Sequence, residues 1–264
     1  MQVVKEILNW YIQSGVTETI ALEPCNRFCP ASEQILLKKE LSPPASMAIP
    51  VTQPQIPADN LLQSASQVAS SSQNLEQLKE ALQNFDGCAL KKTAKNTVFG
   101  QGNPNAEVMI IGEAPGADED RLGLPFVGAS GQLLDKMMLA VGLSRQTNAY
   151  ISNIIPWRPP GNRNPSNVEI ALCMPFIQRH IELVTPKIII TLGSISFTSL
   201  INTTETISKA RGIWHQYQTP NLSAPILLMP VFHPAFLLRT PAQKKNAWRD
   251  FLNISEKLNE LKKA

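Results

Sequence analysis

The chain has 264 residues, 43% of them hydrophobic, enough to bury a sizeable core without covalent staples. Its four cysteines, Cys25, Cys29, Cys88 and Cys173, are too few and too irregularly spaced for a disulfide scaffold, which leaves free thiols or a metal centre. There is no apolar run of about 18 residues, and Met1 is followed by Lys5 and Glu6 rather than by a signal-peptide core, so no membrane partner and a cytoplasmic location are expected. The net charge of +3 is unevenly spread: residues 1–85 carry 5 basic and 8 acidic side chains, residues 86–264 carry 19 and 13. The basic part suits a polyanionic partner without requiring one.

Residues 4–13 repeat apolar side chains at helical spacing and are expected to form a short amphipathic helix in an N-terminal extension, residues 1–41. From 42 to 73 the composition shifts to Pro, Ser, Ala and Gln, with Pro43, Pro44, Pro50, Pro54 and Pro57, and reads as a flexible linker with too few large apolar residues for a core. The folded domain is therefore placed at 74–264. It opens on a helix over 74–85, with Asn74 as N-cap and Gly87 as its stop.

The next stretch organises the rest of the chain. Val108, Met109, Ile110 and Ile111 form an apolar run bounded by Gly, Pro and acids, the pattern of a strand buried on both faces of a parallel sheet. It ends at Gly112, and Glu113, Pro115 and Gly116 turn the backbone at the carboxyl end of a central strand, where open α/β sheets bind ligands. A second Gly-rich segment, 123–131, leads into a helical pattern over 129–141. Strands are then expected at 150–155, 187–192 and 226–232, with helices at 166–184, 194–202 and 242–262. This alternation predicts an α/β fold, a three-layer α/β/α sandwich around a central, mainly parallel four-stranded sheet. Each strand ends in a loop rich in Gly, Pro, Arg or His, and the loops converge on one edge. Read alone, the 112–116 turn could hold a phosphate of a small molecule, but it lacks the Lys of a P-loop and the spacing of a dinucleotide fingerprint.

Taken together, these segments resemble the uracil-DNA glycosylase superfamily, most closely its family 4, in order from about Asp86 to Arg249. The resemblance rests on Val98-Phe-Gly100 with Gly102-Asn-Pro104, Gly112-Glu-Ala-Pro-Gly116 with Glu119 and Asp120, Pro125-Phe-Val-Gly128, and Gly131-Gln-Leu-Leu-Asp135. It continues through Tyr150-Ile-Ser-Asn153, Arg158-Pro-Pro-Gly-Asn-Arg163, the segment from Pro186 to Gly193, Arg211-Gly212, and His233-Pro-Ala-Phe-Leu-Leu-Arg239. It implies a monofunctional enzyme that hydrolyses the N-glycosidic bond of uracil in DNA, begins base excision repair, and works as a monomer in the bacterial cytosol or nucleoid. The target base must be flipped out of the duplex at a cost of about a few kcal/mol.

The same resemblance implies roles for particular residues. Phe126 is the platform on which the base stacks, Asn153 reads the uracil edge, and His233 donates to O2 as negative charge develops there. Gly112 and Gly116 belong to the uracil-binding loop, with Glu113 as the carboxylate that positions water or stabilises the oxocarbenium-like sugar; Asp118, Glu119 and Asp120 are alternatives. Where the best-known bacterial enzyme blocks the thymine methyl with a Tyr, this chain has Gly116. DNA contacts fall to Arg158, Arg163 and Arg239, with Leu237 and Leu238 resembling the wedge that fills the gap left by the flipped base.

One departure stands out. Family 4 enzymes hold a 4Fe–4S cluster on four Cys, and the matching positions here are Phe85, Cys88, Trp157 and Cys173. Neither Phe nor Trp ligates iron, so no cluster and no metal are expected, with apolar packing in their place; Cys25 and Cys29 lie across the linker at a different spacing. The loop from Pro156 to Pro165 also lacks the inserted His of relatives that bond covalently to uracil-DNA, so turnover is expected. No Lys is visibly poised for Schiff-base strand cleavage. The competing reading is a non-catalytic binder of uracil-containing or single-stranded DNA on the same fold, and the N-terminal extension is a candidate arm for a protein partner.

Overall fold

The computed structural model describes residues 58–263. The expected helix at 4–13 and the first part of the proline-rich stretch lie outside them. Three helices come first: α1, Ala58–Ser70; α2, Leu75–Asn84; and α3, Leu90–Thr93. The linker reading fails over α1. Its packing face is built from Ala65 and Ala69, both buried, with Leu61, Leu62 and Val68 beside them. Small side chains one turn apart make a tight helix contact that a search for large apolar residues overlooks. The N-cap of α2 is Asn74, as expected, with its side chain accepting from the Gln77 amide, and the helix closes at Asn84 with Phe85 as its C-cap.

The sheet and its helices follow in the order β1, Gln101–Gly102; β2, Val108–Gly112; α4, Ala117–Leu122; α5, Ala129–Leu139; β3, Ala149–Asn153; and α6, Asn167–Val184. After these come β4, Ile188–Leu192; α7, Ser194–Ile201; α8, Ile207–Ala210; β5, His215–Tyr217; β6, Ile226–Val231; α9, Pro234–Arg239; and α10, Lys244–Lys263. The strand order is β1-β3-β2-β4-β6-β5. The four expected strands are the central, parallel ones, and two short antiparallel edge strands, β1 and β5, extend the sheet to six.

Alternation along the strands separates the two faces. Met109 and Ile111 of β2, with Tyr150 and Ile189, point into a core shared with α1, α2, α6 and α7; Val108 and Ile110, with Ile151 and Ile190, point into a core shared with α5 and α10. The result is the expected three-layer sandwich. Chain order reverses at β2, which has β3 on one side and β4 on the other, so a crevice opens at the carboxyl ends of these strands. Among the described residues no helix is long and apolar enough to cross a membrane.

Candidate active site

A cleft of about 660 Å³ lies at those strand ends. Glu113 after β2, Asn153 at the end of β3, Gly193 after β4 and His233 after β6 all line it, so the loops converge as their composition implied. Four helices, α4, α5, α7 and α9, also begin there, with Gly116, Gly128, Gly193 and His233 as N-caps. The positive dipole ends of these helices favour negative charge in the cleft.

Asn153 is paired in register with Gly112, and the glycine keeps the floor low: a Cβ at 112 would stand 2.6 Å from Cζ of Phe126 and would also strike the Asn153 amide. Asn153 is 4% exposed, and its Oδ1 is buried without a hydrogen-bond partner. A buried, unpaired acceptor of this kind costs about 1–3 kcal/mol, so a donor brought against it is strongly favoured.

The Phe126 ring lies 5.6 Å from the His233 ring, centroid to centroid, and forms one wall. Its backbone is left-handed, at φ 54°, a conformation costing a bulky residue about 1–3 kcal/mol and held only where the surroundings over-determine it. Here Glu119 accepts from the Val127 and Gly128 amides at 2.9 Å each and from the Gly116 amide at 3.1 Å, tying the two Gly-rich loops together.

The neighbouring acids each have a partner of their own. Glu119 is this clamp, Asp120 is buried and accepts from the amides of Lys95 and Asn96, and Asp118 pairs with Arg121 at the surface. Glu113 has no side-chain hydrogen bond among the described residues, and burial raises its pKa above the usual 4.5. At Gly116, a Cβ would lie 2.7 Å from the Glu119 carboxylate, so that side chain occupies the space beside the glycine.

His233 Nδ1 accepts from the Ala235 amide at 3.1 Å, which leaves the proton of the neutral ring on Nε2. Burial, aided by the Arg239 charge, lowers its pKa to about 4. The ring is therefore a neutral donor at physiological pH.

The expected DNA contacts divide. Arg163 and Arg239 line the cleft mouth, although Arg163 is held by a bidentate pair with Glu169 at 2.6 and 2.9 Å. Arg158 does not line it, and its Nε donates to Asn162 Oδ1 at 2.7 Å. Leu238 is 42% exposed and open to a partner, but Leu237 is fully buried with Phe232 and Ala247. The wedge reading of Leu237 is thus corrected: both leucines sit on one short helix, α9, which turns one of them into the core.

A cleft with an aromatic wall, a buried amide short of a partner and a neutral imidazole donor fits a flat ring with a polar edge, which sets this sandwich among α/β proteins that handle nucleobases. The chain belongs to the Uracil DNA glycosylase superfamily, whose family model matches residues 99–253. It is 40% identical to the Type-4 uracil-DNA glycosylase of Saccharolobus solfataricus over 191 residues, covering 70% of this chain and 87% of the relative. Identity to the Archaeoglobus fulgidus Type-4 uracil-DNA glycosylase is 35% over 188 residues, 70% of this chain and 93% of the relative. For the Thermotoga maritima Type-4 uracil-DNA glycosylase it is 33% over 166 residues, 62% and 83%.

The four positions that match the cluster ligands do not fit an iron–sulfur group. Phe85 and Trp157 are 6% and 1% exposed, and they share one core with Cys88, Cys173 and Phe176. The Phe85 and Phe176 rings are 5.1 Å apart, and the Trp157 indole donates to Thr97 Oγ1 at 3.0 Å. Cys88 and Cys173 are hydrogen-bonded to each other, which lowers the pKa of the Cys88 thiol and, with burial, pushes that of Cys173 up, so two thiols stand where the cluster pattern has four. Among the described residues no cluster of three or more His, Cys, Asp or Glu side chains forms a metal site.

Proposed function

We propose that the protein is a monofunctional uracil-DNA glycosylase that hydrolyses the N-glycosidic bond of deoxyuridine in DNA and leaves an abasic site for base excision repair. The observation that carries this reading is the unpaired Oδ1 of Asn153, a cleft-lining residue whose amide and the Phe126 ring both crowd the space a Cβ on Gly112 would take. The flipped uracil stacks on Phe126, its N3–H donates to Asn153 Oδ1, and its O4 accepts from the amide nitrogen. Cytosine presents an amino group where uracil has O4 and an unprotonated N3, so both contacts are lost and buried groups stay unpaired.

As the bond breaks, negative charge gathers on O2 of the departing base, and His233 Nε2–H meets it. A neutral donor stabilises the anion as it forms without a charge that must first be desolvated. The helix N-termini at the cleft act in the same direction and receive the flanking phosphates together with Arg163 and Arg239. Glu113 opposes the positive sugar and orients the attacking water, a task its raised pKa suits. Leu238 fills the space in the stack. Apolar packing of Phe85 and Trp157 replaces a cluster, so the reaction runs without iron, and residues 1–41 are an arm for a protein partner.

The test is release of free uracil from single-uracil oligonucleotides, unpaired or opposite G or A, in the presence of chelator, with iron measured on the same sample. Asn153→Ala and His233→Ala are each expected to lose about 10² or more in kcat/KM. Tight binding without release would instead make the protein a uracil-DNA binder. Iron at four atoms per chain, lost together with activity, would overturn the cluster-free reading.

A further inference from the structure

Arg145, in the loop between α5 and β3, has no part in the roles assigned above. The residue is 9% exposed and does not line the cleft. Its guanidinium donates to the carbonyl oxygens of Pro125 at 2.6 Å and Phe126 at 2.5 Å, to Asp135 at 2.8 Å and to Gln101 Oε1 at 3.0 Å. Two of these acceptors are consecutive main-chain carbonyls flanking the left-handed φ of Phe126. The amides that follow, of Val127 and Gly128, are taken by Glu119, so the loop is gripped on its carbonyl side by Arg145 and on its amide side by Glu119. Gly131 lets α5 come up against the same Phe126 carbonyl, where any Cβ would collide. A buried guanidinium is retained only where its donors are met, and a planar fork serves two adjacent carbonyls as a lysine ammonium does not.

We propose that Arg145 is a positioning residue for base stacking, which holds the Phe126 ring in place against Asn153 and His233 by clamping the 125–126 carbonyls. The assignment rests on Phe126 being the base platform, and two readouts separate the two ideas. The first is kinetic. Arg145→Gln is expected to lower kcat/KM for uracil release by about tenfold to a hundredfold, the usual weight of charge-assisted hydrogen bonds, with Arg145→Lys between it and the native chain. Because the arginine acts through the ring, Arg145→Gln added to Phe126→Ala is expected to cost almost nothing more than Phe126→Ala alone. The second readout is hydrogen exchange of the 126–131 amides, expected to quicken in both Arg145 variants relative to α10 in the same samples, whether or not the chain releases uracil. Fully additive kinetic losses, or unchanged exchange over 126–131, overturn the proposal. Quickened exchange in a chain whose Phe126→Ala variant keeps full activity leaves the clamp standing and removes the platform reading instead.

Discussion

At the scale of residues, the ordinary order of two titrating groups in the cleft has been reversed. Burial raises Glu113 above its usual 4.5, and burial with Arg239 lowers His233 to about 4. The proposed chemistry needs Glu113 ionised and His233 neutral, and both conditions fail as pH falls. Glu113 fails first, because its pKa is the higher. The acid limb of kcat/KM is therefore expected to fall through a midpoint above 4.5 and to belong to the carboxylate. Glu113→Gln is expected to be slow, by about 10² or more, and to stay level with pH down to about 4, where the imidazole takes its proton. A Glu113→Gln profile with the native midpoint would assign that limb to another group.

At the scale of elements, the missing ligands at 85 and 157 have become part of a core, and their energetic weight follows from burial. Trp157→Ala removes a side chain 1% exposed and is expected to cost about 3–5 kcal/mol, read as a fall in Tm of about 2–4 °C per kcal/mol at unchanged iron content. Helix α1 makes a second case: a chain truncated before 74 is expected to melt below one truncated before 58, because it uncovers the core that α1 shares with α6. Equal melting of the two truncations would return α1 to the role of a linker.

These elements also show what was legible in the sequence. The four central strands could be read because burial on both faces makes them mostly apolar runs, and each expected site loop followed one of them. The edge strands β1 and β5 are two and three residues long and mostly polar, so they carry no such signal. Helix α1 was hidden because alanine does the packing. Arg145 was hidden for another reason: its acceptors lie 10 to 44 residues away, and no local pattern records a contact made only by the fold. Leu237 and Leu238 stand side by side in sequence, and only the rotation of α9 separates core from surface.

At the scale of the whole molecule, two of the three histidines are stored neutral, and this fixes how the fold responds to acid. His180 is 3% exposed, stacked on Phe99 with centroids 4.2 Å apart, and its Nε2 meets the Tyr150 hydroxyl at 3.0 Å. Burial lowers its pKa to about 3, and that of His233 to about 4, from 6.5. Below 6.5 the unfolded chain therefore takes protons that the native chain refuses, so stability is full above that value and is lost as pH falls toward 4 and 3. Each such histidine contributes a slope of about 1.4 kcal/mol per pH unit in that window. Glu169, held near 2 by Arg163, adds a loss of the same sign only below its usual 4.5, whereas Glu113 and Asp250, both raised, act in the opposite sense. Between 6.5 and 4.5 the histidines dominate. His180→Gln is expected to flatten the fall of Tm over that interval, whatever it does to Tm itself, because the glutamine has no proton to gain. His180 lies outside the cleft lining, so the same variant is expected to leave the pH–rate profile where it was. A parallel shift of both curves would mean that the α6 core and the cleft titrate as one unit, and a Tm slope equal to the native one would mean that His180 is charged in the folded protein.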